Sequence, residues 1–350
     1  MIENQTQRTE LSELGEFGLI DLLTKHVELK QSSTTKGVGD DCAVINHGNK
    51  ETLLTKDLLI EGVHFDLTYM PLKHLGYKAA VVNISDIVAM NGTPTQLLIG
   101  IGASNRVSVE AMEEIYKGIY LACEKYNVDL IGGDTTSSNS GLFISVTAIG
   151  EAAKSNIVYR STAKKGDLVC VSGDLGAAYM GLLLLEREKQ AFKADPNMQP
   201  ELDGHDYILG RQLKPEARVD ILDKLKEAKV MPTSMIDISD GLASELLHIC
   251  TQSGLGGSLY EDKIPIDVTT DMIAKEFELV PTTCALSGGE DYELLFTISQ
   301  DDYDKVKELA DIAVIGHMTD KSEGVNLITR DGKLLPITAQ GWDAFLKEND

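Results

Sequence analysis

The residues with the most chemistry in this chain are aspartates that stand beside glycines or at the ends of regular elements. They occur as Gly39-Asp40-Asp41, Lys56-Asp57, Ser85-Asp86, Gly132-Gly133-Asp134-Thr135-Thr136, Asp237-Ile238-Ser239-Asp240-Gly241 and Gly288-Gly289-Glu290-Asp291. Any one of them has an ordinary explanation, since aspartate beside glycine makes turns and aspartate ahead of a helix caps it. Six of one kind point further. Carboxylates that converge on one place repel one another and take up protons unless cations neutralise them. Hard oxygen donors, with no His or Cys at metal spacing, select magnesium, manganese or calcium over zinc or copper. Magnesium is the usual companion of nucleotide phosphates.

Two of the sites carry arguments of their own. Asp86 lies in a stretch, Ala79 to Met90, that is apolar almost all round, and it continues the seam Leu75, Ala79, Val82. At helical spacing its carboxylate is expected to point into a packed interior. A lone buried carboxylate is costly and is kept when it is paired or bound to metal. No Lys or Arg lies within one helical turn, so a metal or a distant Arg is the partner to look for. The run Ser234 to Gly241 reads as a strand, Met235 to Ile238, that leads into a helix near Gly241. Asp237, Ser239 and Asp240 then sit where helix N–H groups suit phosphate and carboxylates suit a bridging cation. A plain helix cap in a Rossmann-like crossover is the competing reading. The common phosphate loops are missing: there is no Gly-x-x-x-x-Gly-Lys-Ser/Thr, and Gly100 and Gly102 lack the third glycine of a dinucleotide fingerprint.

The elements that must position these residues alternate. Apolar runs at Leu53 to Thr55, Gln96 to Ala103 and Leu142 to Glu151 read as strands, between helices Leu72 to Met90 and Val109 to Tyr126; a first helix spans Gly15 to Lys25. This is an α/β unit. The polar segment Ile157 to Gly166 marks a boundary, giving domains 1–156 and 157–350. The second α/β set starts with a strand at Asp167 to Ser172. Helices follow near Gly176 to Lys189, Pro215 to Ala228 and Leu242 to Thr251, with strands near Met235, Ser258, Glu293 and Ala313. Ala191 to His205, with Pro196 and Pro200, reads as a surface excursion.

Composition narrows the partners. The chain has 350 residues, 43% of them apolar, enough for two ordinary cores. With 55 acidic against 32 basic residues its net charge is -23, which repels nucleic acid and anionic membrane. Five cysteines lie far apart with no Cys-x-x-Cys pair, which excludes a disulfide framework or a structural zinc site and fits a reducing compartment. A polar N-terminus without an apolar targeting core, and no apolar run of about 20 residues, make the expected location cytoplasmic.

Taken together, these motifs resemble the family that includes aminoimidazole ribonucleotide synthetase, selenophosphate synthetase and thiamine-monophosphate kinase, and are most similar to the thiamine-monophosphate kinases. The resemblance rests on Gly15-Glu16-Phe17-Gly18-Leu19-Ile20, Gly39-Asp40-Asp41-Cys42-Ala43-Val44, Thr55-Lys56-Asp57 with Gly62-Val63-His64-Phe65, and Asn83-Ile84-Ser85-Asp86-Ile87-Val88-Ala89-Met90. It continues through Gly132 to Thr136, Asp237 to Gly241 and Ser287-Gly288-Gly289-Glu290-Asp291-Tyr292-Glu293-Leu294, covering almost the whole chain. It implies an α/β fold of the α+β sandwich type. An N-terminal domain would pair across a homodimer to form a barrel, ahead of a C-terminal α/β domain. The implied activity is ATP-dependent phosphorylation of thiamine monophosphate to thiamine diphosphate. By the same resemblance Asp40, Asp57, Asp86, Asp134, Asp237 and Asp240 hold several magnesium ions with help from Thr55, and Asp41 is a possible further ligand. Tyr116, Gly133, Asp134, Arg160 and Ser239 contact ATP, while His64, Glu290 and Trp342 face the thiamine substrate. Two departures stand out. Lys56 replaces the usual small hydroxyl residue, which leaves its amine as a phosphate contact in place of a ligand. Asn91-Gly92 follows Met90, where glycine more often follows at once.

No residue is expected to act as general base. A phosphate monoester has a second pKa near ~6, so the acceptor is already largely anionic at neutral pH. Two other readings stay open. One is another ATP-using synthetase of the same superfamily, although the reactive Cys-Lys pair of selenophosphate synthetases is absent before Gly37. The other is a non-catalytic protein that binds divalent cations or nucleotides.

Overall fold

The computed structural model describes residues 34–36, 39–46, 48–104 and 106–338. The helix expected at Gly15 to Lys25 and the C-terminal Trp342 lie outside the described residues.

The first domain is built on strands β1 (Thr34–Lys36), β2 (Ala43–Asn46), β3 (Glu51–Ile60), β4 (Thr93–Ala103), β5 (Asp129–Ser137) and β6 (Phe143–Ala152). They form one sheet in the order β1-β2-β3-β6-β4-β5, antiparallel except for the β4–β5 pair. Two helices, α1 (Leu72–Ala89) and α2 (Val109–Tyr126), cover one face. Alternation along β3 sends Leu53, Thr55, Asp57 and Leu59 toward the helices and Leu54, Lys56, Leu58 and Ile60 to the other side. On that other side Leu58 is 50% and Ile60 40% exposed, so the sheet has one open face.

Each helix has a local reason. α2 begins at Ser108, whose hydroxyl accepts from Ala111 N at 3.2 Å, and ends at Asn127 in the left-handed conformation. α1 is buried on nearly every side because it packs against the sheet, α2 and the second domain together. The two helices touch at backbone distance. A Cβ on Gly76 would fall 1.9 Å from Ile115 O, and one on Gly118 would fall 1.9 Å from Lys73 O.

The second domain carries β7 (Leu168–Ser172), β8 (Ser234–Asp237), β9 (Gly256–Tyr260), β10 (Leu294–Ile298), β11 (Ile312–Thr319), β12 (Val325–Ile328) and β13 (Leu334–Pro336). Their order is β13-β12-β9-β11-β7-β10-β8. The helices are α3 (Ala177–Ala194), α4 (Asp206–Leu213), α5 (Val219–Glu227), α6 (Leu242–Ser253), α7 (Val268–Glu276) and α8 (Pro281–Ser287), with one further turn at Tyr303–Val306. β8 lies at the edge of its sheet, against α1, and Met235 and Phe296 join the same buried cluster as Ile84 and Ile87.

The architecture is therefore mixed α/β with two sheets, and among the described residues the first sheet runs from β1 to β5 without closing. Two strand expectations change. The Leu53 to Thr55 run is the middle of a ten-residue strand. The Gly132 to Thr136 motif, outside every element expected from the sequence, belongs to β5, an edge strand paired in parallel with β4. Glycine is needed there because a Cβ on Gly133 would lie 1.8 Å from Ile99 O.

Candidate active site

β3, α1, the Asp40–Asp41 turn and the end of β8 meet at the seam between the two domains. They border a cavity of about 290 Å3. Asp41, Asp86 and Asp237, from three different elements, bring carboxylate oxygens within 4.8 Å of one another. Thr55 Oγ1 donates to Asp86 Oδ2 at 2.5 Å, and Ser85 Oγ donates to Asp237 Oδ2 at 2.5 Å. Asp57 lines the same space, its backbone N–H fixed by Asn83 Oδ1 at 3.0 Å.

Where the sequence places Asp86 in a packed interior, the structure opens it onto this cavity, partly exposed. The seam Leu75, Ala79, Val82 is apolar because it packs, but one helical turn further the second domain leaves a gap that acids share. Burial, then Asp57, Asp237 and Asp41, push the Asp86 carboxyl well above the usual range. Burial with Asp41 as the next cause raises Asp237 to about 7, while Ser85 and Arg160 pull the other way. Asp57 is raised to about 6 by burial, Asp41 and Glu290. An all-oxygen cluster held in a state that resists ionisation is the donor set that a hard divalent cation relieves. The residues thus fit magnesium.

Asp40 and Asp41 divide the work differently from expectation. Asp41, the supposed neighbour, joins the triad; Asp40 lies behind it with its side chain fully enclosed. Arg160 binds both: its Nε donates to Asp41 Oδ2 at 3.1 Å, its Nη2 contacts Asp41 Oδ1, and Nε stands 3.6 Å from Asp40 Oδ1. Lys36 Nζ stands 3.7 Å from Asp40 Oδ2, an oxygen that accepts no hydrogen bond. Burial and then Asp41 raise Asp40 to about 6 against the pull of Arg160 and Lys36.

The strand-to-helix junction after β8 also differs. Asp237, Ser239 and Asp240 do line the cavity, and the Ser239 and Asp240 N–H groups ahead of the helix are taken. Glu245, in the first turn of α6, accepts from Ser239 N at 3.3 Å and from Asp240 N at 2.9 Å through Oε1. The junction therefore contributes carboxylates and the exposed Ser239, whose hydroxyl also donates to Glu245 Oε1 at 3.4 Å, just ahead of the α6 N-terminus. Burial and Asp240 push Glu245 well above the carboxylate range, and its Oε2 has no hydrogen-bond partner.

At the other end of the cavity stand His64, Lys78, Glu290 and Tyr292. Lys78 contacts Glu290 Oε2 and donates to Gln212 O at 2.9 Å, while Tyr292 OH donates to Glu290 Oε1 at 2.9 Å. Glu290 and Tyr292 both have left-handed backbones, at φ 62° and 52°. Asp291 between them holds that shape by accepting from Gly176 N at 2.8 Å and Ala178 N at 3.4 Å. His64 Nδ1 accepts from Ile60 N at 3.1 Å, and burial lowers its pKa below the usual value.

Three expected contacts are not brought here. Gly133 and Asp134 lie on β5, and Tyr116 on α2. Register places Asp134, Gly100, Ser145 and Leu58 in one row on the open face, so Asp134 is three strands, about 14 Å, from β3. Lys56 is on that face too, against the Ser145 hydroxyl, away from the cavity. Sequence reasoning missed Glu245 and Lys78. Lys78 did leave a signal: with Val82 and Asp86 it repeats at i, i+4 and i+8 on an otherwise apolar helix.

Comparison with known proteins defines the class first. Residues 39–152 match the AIR synthase related protein N-terminal domain, and residues 164–327 match the C-terminal domain of the same family. Within that class the chain belongs to the thiamine-monophosphate kinase family. It is 36% identical to the thiamine-monophosphate kinase of Aquifex aeolicus over 335 residues, 96% of this chain and 99% of that protein. It is 33% identical to that of Bacillus subtilis over 339 residues, 95% of this chain and 100% of that protein. A solved structure described as AaThiL complexed with AMPPCP and TMP superposes with a TM-score of 0.82 at 34% identity, covering 98% of this chain and 100% of that one.

Proposed function

We propose that this chain transfers the γ-phosphoryl group of ATP to thiamine monophosphate, giving ADP and thiamine diphosphate. The observation that carries the reading is the trio of carboxylates within 4.8 Å at the domain seam. Support comes from a relative, matched along its whole length, in complex with AMPPCP, an ATP analogue, and TMP.

The chain's own groups suit direct transfer. The acceptor phosphate, largely dianionic above its second pKa near ~6, attacks the γ-phosphorus without a protein base. Its P–O bond forms as the bond to the bridging oxygen of ADP breaks, and no phosphoenzyme arises. The Cys42 thiol beside the cluster is no rival nucleophile, since burial and then Asp86 push it well above the usual thiol range. Asp41, Asp86 and Asp237, with Asp40, Thr55, Asp57, Asp134 and Asp240, are the residues that would hold magnesium, whose positive charge would offset that of the phosphates. Arg160 braces Asp41, Ser239 offers its hydroxyl to the nucleotide, and Ser85 and Thr55 fix the rotamers of the carboxylates they donate to.

The assembly is a homodimer. The open face of the first sheet, with Leu58 and Ile60 exposed, and the edge strand β5, exposed along almost its whole length, suit closure by a second copy into a barrel. That copy is also the source from which Gly133, Asp134 and Tyr116 would reach a cavity. The proposed units are 1–156 and 157–350, Trp342 is a proposed stacking contact to the thiamine substrate, and the proposed site of action is the cytoplasm. Incubation with ATP, magnesium and thiamine monophosphate, with thiamine diphosphate read by chromatography, tests the proposal. Stoichiometric ADP and thiamine diphosphate are expected; no product above the blank would overturn it.

A further inference from the structure

A buried lysine that meets the cavity is the feature the metal chemistry does not use. Lys78 is 2% exposed, on a helix whose other cavity-facing residues are Val82 and Asp86. Its ammonium contacts Glu290 and donates to Gln212 O, so one cation ties the first domain to two segments of the second. Among the lining residues the Lys and Arg side chains are Lys78 and Arg160, and Arg160 is committed to Asp41 and Asp40.

A substrate whose thiazolium ring pairs with Glu290 meets a carboxylate that already has a counter-ion. Pulling the partly exposed Glu290 away is unfavourable, because it strands the buried Lys78 ammonium. Thiamine monophosphate, however, carries both signs: a thiazolium cation and a phosphate anion joined by a two-carbon arm. Resting on the function proposed above, we infer that Lys78 and Glu290 are a counter-ion pair that this zwitterion exchanges, its thiazolium taking Glu290 and its phosphate taking Lys78. Lys78 and Glu290 then each keep a partner of opposite charge before and after binding, and the remaining phosphate charge faces the acid cluster and its cations. The lysine stem is flexible enough to swing without moving the helix. Lys78 and Asp86 share one stripe of α1 about 12 Å apart, so a phosphate lying between them faces the ammonium at one end and the acid cluster at the other. Tyr292 keeps Glu290 aimed during the exchange.

The exchange makes Lys78 a specificity-determining residue that selects a phosphorylated cation over a bare one. Thiamine itself can take Glu290 only by stranding Lys78. The test measures binding of thiamine monophosphate and thiamine by calorimetry, and turnover of the former, in wild type and in Lys78→Met. The expected result has opposite signs: affinity for the monophosphate falls roughly 10- to 100-fold, while thiamine binds as well or better. Lys78→Arg is expected to restore much of the preference. If Lys78→Met does not fold, the charge-balanced Lys78→Met/Glu290→Gln variant replaces it, and it should bind the two ligands with nearly equal affinity. A Lys78 that merely supports the fold would weaken both ligands together, and an unchanged ratio of affinities in either variant overturns the inference. Wild type that binds both ligands but makes no thiamine diphosphate would instead count against the proposed function and leave the affinity ratio to be judged by itself.

Discussion

Replacing Asp237 with asparagine separates what the acid cluster does for the fold from what it does for the site. In the folded protein Asp237 is raised from 3.8 to about 7. A carboxyl whose folded value is raised opposes folding as pH climbs: its stability contribution is intact below the unfolded value and is lost through the folded one. At pH 8 the full cost applies, about 3 pH units or about 4 kcal/mol. The neutral amide of Asp237→Asn would escape that cost and still accept from Ser85 Oγ, whose pull on the carboxylate is already contained in the value of about 7. Metal-free Asp237→Asn should therefore be more stable than wild type at pH 8 by up to ~4 kcal/mol, several degrees in melting temperature. At pH 5, between the unfolded and folded values, the cost and with it the gain should shrink to about 1 to 2 kcal/mol. Magnesium should then reverse the order, stabilising wild type by mass action and the variant little. Thermal unfolding in EDTA and in magnesium, at both pH values, measures all four states. A variant less stable than wild type at pH 8 in EDTA, with an undiminished response to magnesium, would refute the electrostatic reasoning.

Further outcomes follow from the same geometry. Asp86→Asn should lower turnover by about three orders of magnitude or more while leaving the circular dichroism spectrum unchanged, since one of three clustered ligands is lost; near-normal activity would remove the metal cradle. Because Asp57 and Asp237 sit at about 6 and about 7, magnesium binding should release protons and weaken steeply from pH 8 to pH 6. Calorimetry in buffers of different ionisation enthalpy would detect that release, and its absence would contradict the raised values. Mixing inactive Asp86→Asn with inactive Asp134→Asn should restore partial activity if Asp134 acts from a second copy; no recovery after subunit exchange would count against that arrangement. Glu245→Ala should raise KM for ATP more than it lowers melting temperature, because it frees the Ser239 and Asp240 N–H groups that fix the junction; an unchanged KM would show the junction holds itself.

Local signals carried much of the fold. The helix at Val109–Tyr126 is delimited by its own cap and by Asn127, both readable in the chain. Periodicity likewise gave the face on which Asp86 sits. What lies opposite that face was not readable, because the contact joins Ser85 to Asp237, 152 residues away. For the same reason a buried seam and a cavity lining look alike until the second domain is in place. β5 was hidden by its glycines, which read as turn residues yet serve strand packing against Ile99. Glu245 gave no motif at all, since its role depends on the loop curling back over its side chain. Asp40 and Asp41 are neighbours in sequence with different surroundings: Arg160, 119 residues from Asp41, reaches both, but Asp86 and Asp237 meet Asp41 while Lys36 meets Asp40.

The central claim is that the seam carboxylates hold divalent cations against the phosphates. Manganese can take the place of magnesium on oxygen ligands and is visible by anomalous scattering. Crystals grown with manganese and an ATP analogue should show an anomalous peak between Asp41, Asp86 and Asp237, adjoining phosphate density. Nucleotide bound in the cavity with no peak among those three carboxylates would contradict the account.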